Sequence, residues 1–116
     1  MLTVRLLLEQ GAAVHAQGKQ GETALLLAAA KGHSHVVRQL LQHGANPDQA
    51  DLDGNTPLMY AAMGNHLTCA QELLSCGADI SAQNNVFDTA YDLSVLNGAK
   101  QVQQAIDSHM LKLLQG

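Results

Sequence analysis

Tryptophan is absent from this 116-residue chain, and one phenylalanine and two tyrosines are its only other aromatic rings. Its apolar side chains are therefore mostly leucine, alanine, valine and methionine, which suit helices packed closely side by side. Basic residues are also few: six Lys and Arg stand against ten Asp and Glu, a net charge of -4. The acids are scattered and no basic face is present for a phosphate backbone or an anionic bilayer, so neither direct nucleic-acid binding nor membrane association is expected. No apolar run reaches the roughly 18 residues of a membrane span. Arg5 and Glu9 break the first apolar stretch, so no secretory signal is read. The expectation is a soluble protein of the cytoplasm or nucleus. The two cysteines could in principle pair, but the register described next puts Cys69 at an inward apolar position and Cys76 at a helix end, the placement expected of reduced structural thiols.

What the chain does have is a period. Gly-Ala pairs fall at Gly11-Ala12, Gly44-Ala45 and Gly77-Ala78, steps of 33, and threonines at Thr23, Thr56 and Thr89 keep the same step. The chain divides on this register into a partial unit over 2–17, units over 18–50 and 51–83, and a terminal unit over 84–116. Each full unit begins with a threonine suited to capping a short helix. A glycine or, at Asn65, a residue tolerant of left-handed backbone then ends that helix. A second helix follows with apolar residues at i, i+3 and i+4, as in Val36, Val37, Leu40 and Leu41. Residues 2–10 match a second helix alone, so the natural chain is expected to continue upstream or to have been cut there. The terminal unit departs from the pattern. Phe87 stands where Gly21 and Gly54 stood, and Met110 where Gly44 and Gly77 stood. With the stop glycine gone, one long closing helix is predicted from about Lys100 to Leu114, with Val102, Ile106, Met110 and Leu113 inward and Gln103, Gln104, Asp107 and Ser108 forming a polar outer face.

The period of 33 with the opening Thr56-Pro57-Leu58 resembles the ankyrin-repeat family over essentially the whole chain. The resemblance implies an all-α solenoid of helix-turn-helix units with projecting tips, stacked into a curved slab, and a non-enzymatic role in protein-protein interaction. A narrower similarity joins Gly54–Asp79 and the closing stretch from Val102 to the group of ankyrin-repeat family A proteins and regulatory factor X-associated ankyrin proteins. That similarity implies an adaptor binding extended peptides in its concave groove within transcription-regulatory assemblies. Those relatives carry tryptophans in groove and tips; here Leu52 stands at the tip.

In such a stack the repeat dictates the core, so function is sought among the variable positions. The groove is expected to be lined by Leu26 and Ala30, then Met59 and Met63, then Asp92 and Leu96, with Leu52, Asp53, Asn55 and Asp88 contributing from the tips. Leu26, Met59 and Asp92 stand where the family often has histidine. One reading gives an apolar groove for a short hydrophobic side chain, with methionine adapting to it; the other has these side chains packing between repeats. Lys19 and Lys31 lie on the first full unit and Asp51, Asp53, Asp88 and Asp92 on the later two, so a basic end of a bound peptide would face the later units. The partner expected is a protein or linear peptide with apolar and basic residues. The six histidines are spread over four units, with His33 and His66 at equivalent positions, and lack the cysteine or acidic partners of a site, so no metal site is expected. Nor does any nucleophile-base pair or phosphate loop suggest catalysis or a cofactor. Two further readings are a regulatory or targeting fragment of a larger enzyme or channel, and an inhibitor clamping a folded partner such as a kinase.

Overall fold

Thr23, Thr56 and Thr89 do start helices. In the computed structural model, which describes residues 17–115, each is extended and its hydroxyl accepts an amide three residues on, from Leu26 at 3.2 Å, Met59 at 3.3 Å and Asp92 at 3.2 Å. These caps open α1 (Ala24–Lys31), α3 (Pro57–Gly64) and α5 (Ala90–Leu96), and each is followed by a second helix: α2 (Ser34–Gln42), α4 (Leu67–Ser75) and α6 (Lys100–Gln115). Pro57 at the first turn of α3 sacrifices no hydrogen bond, because the amide it lacks has no partner inside a helix. No strand occurs among the described residues. The helix expected over 2–10 lies outside them.

Two layers result. The first helices α1, α3 and α5 touch in sequence, as do the second helices α2, α4 and α6, and each helix also packs on its partner within the unit. Alanine makes this possible: Ala28, Ala29, Ala61 and Ala62 are buried at the helix contacts, where larger side chains would force the helices apart. Leu25, Val37, Leu40, Leu58, Leu73, Val102 and Ile106 fill the remaining interior, together with Cys69, which lies in register with Val36 and Val102. Burial pushes the Cys69 thiol up, while Cys76 is exposed at the end of α4; both thiols are free.

Polar bonds pin the units at the period of the sequence. The Leu52 amide donates to the Gln20 carbonyl at 2.9 Å and the Asn85 amide to the Asp53 carbonyl at 3.0 Å, so each tip leans on the one before it. Arg38 of α2 pairs with Glu72 of α4 at 2.7 Å. His66 reaches back to the Ala30 carbonyl at 3.1 Å. Asn65, left-handed at φ 54°, does more than replace a glycine: its side-chain amide donates to Gln101 and its oxygen accepts from the Val102 amide, tying the turn after α3 to the start of α6.

The closing helix runs 16 residues against 9 for α2 and α4. Val102 and Ile106 are buried and Met110 packs against the core, but Leu113 is 62% exposed. The expected inward stripe therefore stops at Met110, because the helix outruns the shorter α4 that would have covered it.

Candidate functional site

The outer surface of the first-helix layer is set by the threonine caps. With the helix starting just after the threonine, the fourth and seventh helical residues point away from the second layer: Leu27 and Ala30 on α1, Tyr60 and Met63 on α3, Leu93 and Leu96 on α5. Leu27 is 50% exposed and Leu96 71%; Ala30 is exposed, Tyr60 and Met63 are half-buried, and only Leu93 is covered. Leu27, Ala30 and Leu96 lie outside the core, whereas Tyr60 and Met63 pack against it with part of their surface open and Leu93 belongs to it; together they make an apolar strip across three units that is backed by the core.

Two residues expected on that strip are not there. Leu26 and Met59 are buried, at 2% and 0% exposure. Both are the third residue of their helix, one position before the outward-facing one, and Met59 belongs to the shared core. Met59 is further held by its sulfur, which accepts the Thr56 amide at 3.4 Å. Of the two readings open from the sequence, packing between repeats is the one that describes them. Asp92 keeps the same register and is exposed, but its carboxylate accepts the Thr89 amide at 3.0 Å and so completes the cap of α5.

Leu27 and Tyr60 were missed. The cap alone does not give them, since Leu93, at the same count from its threonine, is buried. Tyr60 also has a bonded role, since its hydroxyl donates to the Asp51 carboxylate. Burial and then this bond raise its pKa above the ordinary 10.0.

The tips are built by side chains that receive backbone amides. Asp51 accepts from the Asp53 and Asn55 amides, both at 3.0 Å, and Asn84 from the Val86 and Asp88 amides at 3.0 and 2.9 Å. Asn55 is structural too, accepting from the Asn84 side chain at 3.0 Å. Among the tip residues singled out from sequence, Leu52, 65% exposed, and the exposed Asp53 offer free side chains, whereas Asp88 is half-buried. Asp51 is spent on the turn and on Tyr60, so the acidic surface of the second tip rests on Asp53.

Elsewhere a cleft of about 590 Å³ lies between α4 and α6, lined by Leu67, Gln71, Leu74, Ala105, Ser108 and Lys112 among others. None of the residues expected at the site borders it. Among the described residues no group of three or more His, Cys, Asp or Glu is placed to hold a metal ion, and no helix is long and apolar enough to cross a membrane.

The family model for ankyrin repeats (3 copies) matches residues 2–84, more than half of the chain. The α5–α6 pair lies beyond the matched range yet repeats the same capping and stacking. No curated protein matches the chain significantly.

Proposed function

The chain belongs to the ankyrin-repeat family, and from that premise we propose that it is a non-enzymatic adaptor that binds an extended segment of a partner protein along the first-helix layer and its tips. Ankyrin repeats as a class mediate protein-protein interaction. What supports the finer reading is one observation: Leu27, Ala30, Tyr60, Met63 and Leu96 leave apolar surface open across three units, Tyr60 and Met63 being backed by the core, and the second tip adds the exposed Leu52 and Asp53. A preformed surface loses little conformational freedom on binding, so a few apolar anchors suffice for affinity. The narrower similarity makes transcription-regulatory assemblies in the nucleus or cytoplasm the setting to search first.

The test is a peptide array probed with the wild type beside Met63→Glu. Ligands should be lost or weakened at least tenfold, about 1.4 kcal/mol, while circular dichroism shows the fold intact. An unaltered ligand set would sink this reading, and a partner captured only as a folded domain would favour the inhibitor type of ankyrin protein instead.

A further inference from the structure

The end of the stack formed by the third unit is divided in two. In the earlier units the positions facing the next unit are closed: Leu26, Ala29, Met59 and Ala62 are all at 2% exposure or less. Glycine is required at the matching tip positions. A Cβ on Gly21 would lie 3.0 Å from the Leu52 amide nitrogen, and one on Gly54 would lie 2.9 Å from that of Asn85. In the third unit these same positions carry Asp92, Val95 and Phe87, with Val95 51% and Phe87 75% exposed and Val86 beside it 71% exposed. Phenylalanine at the glycine position fills the space the next tip would take, and Val95 replaces alanines that had no room to grow. A further unit of the same kind does not fit this face.

The second-helix half of the same end is polar. Gln103 and Asp107 stand in register with Val37 and Ala70, and with Leu41 and Leu74, and Gln103 donates to the Tyr91 hydroxyl at 3.2 Å. A face needing only solubility would be polar throughout. Instead the first-helix half keeps Val86, Phe87 and Val95 open, and Phe87 holds left-handed backbone at φ 69°, which a bulky residue adopts only against strain. Exposure and strain coincide at one side chain.

Charge points to the occupant. Lys100 and Lys112 of the third unit lie on α6, while the second tip, the third tip and α5 carry acids and no Lys or Arg. Asp53, Asp88 and Asp92 come from the two tips and the helix that border this face, and the Asp53 carbonyl is bonded directly to the third tip. We propose that Val86, Phe87 and Val95 form a second docking site, separate from the strip on the first helices, for a partner segment that carries an apolar anchor flanked by basic residues. The apolar side chain covers Phe87 and Val95, and the acidic surroundings select and steer its basic neighbours.

The experiment uses a phage-displayed library of random 12-residue peptides, selected on the wild-type chain and counter-screened on three variants: Phe87→Gly with Val95→Ser, Met63→Glu, and Phe87→Gly alone. Phe87→Gly restores the residue found in the other tips, so its folding is secure. Expected are peptides with an aromatic or aliphatic residue beside two or more Lys or Arg, losing at least tenfold in the double variant and unchanged in Met63→Glu. Peptides lost only in Met63→Glu report on the first-helix strip and leave the end face unsupported. The proposal is overturned if no selected peptide depends on Phe87 and Val95, or if those that do are not basic. It also falls if Phe87→Gly leaves peptide binding intact and makes the chain associate end to end in sedimentation velocity, for the phenylalanine is then only a stop against a second copy.

Discussion

Met59 and Met63 sit four residues apart on one helix and have opposite consequences. Met59 is fully enclosed in the shared core, so Met59→Ala leaves a cavity and should cost about 2–5 kcal/mol in urea unfolding, and Met59→Glu, which buries an unpaired charge, should prevent folding as seen by circular dichroism. Met63→Glu, at a half-buried position that packs on the core by one side only, should cost about 1 kcal/mol and leave the fold intact. Tyr60 gives a prediction in pH. Its folded-state pKa is raised by burial and by Asp51, so its contribution is fully present below the unfolded value and is lost as pH rises through the higher folded one. Melting temperature should fall between neutral pH and the alkaline range above 10, and Tyr60→Phe should be about 1 kcal/mol less stable at pH 7 and flatter in that range. Neither role of Tyr60 was legible in the sequence, because the tip and the first helix that meet there are nine residues apart and only the folded turn brings the Asp51 carboxylate to the hydroxyl.

At the level of elements, Asn65 and α6 show how much work a terminus does. Asn65→Gly relieves left-handed backbone but loses the bonds to Gln101 and Val102, whereas Asn65→Ala loses the bonds and adds about 1 kcal/mol of strain. The expected order in thermal melting is Asn above Gly above Ala. In α6, Ile106→Ala should cost about 2–5 kcal/mol, while truncation after Met110 should cost under about 1 kcal/mol, since Leu111, Leu113 and Leu114 are exposed at 57%, 62% and 84%. The length of this helix could be read from the missing stop glycine. How many of its turns are covered could not, because that depends on where α4 ends beside it.

Across the whole molecule, the stack separates what each surface contributes. Neighbouring units share the core, so stability accrues unit by unit, while the first-helix strip is backed by it and Val86, Phe87 and Val95 of the third unit lie outside it. The acids of the second and third units lie near both surfaces, while Lys19 and Lys31 lie at the first-unit end of the strip. A partner with basic residues should therefore bind several-fold more weakly in 0.5 M than in about 0.05 M salt, where screening is slight. Titration calorimetry at the two ionic strengths checks this, and a salt-independent affinity would show that the acids are solubilising only.

The sequence by itself determined the repeat, because the 33-residue step fixes caps, stops and the apolar stripes of the second helices, and these are local choices that each unit makes for itself. It determined that the closing helix runs on and that Leu52 projects from its tip. Only the tertiary structure decided that Leu26 and Met59 are interior and Leu27 and Tyr60 outward. One residue on a helix is a turn of 100°, too small a step for apolar pattern to resolve when all four side chains are apolar or nearly so. Likewise, Phe87 reads in the sequence as a lapse from glycine. Its meaning comes from the neighbouring tips at Gly21 and Gly54, whose close approach shows what a phenylalanine there forbids.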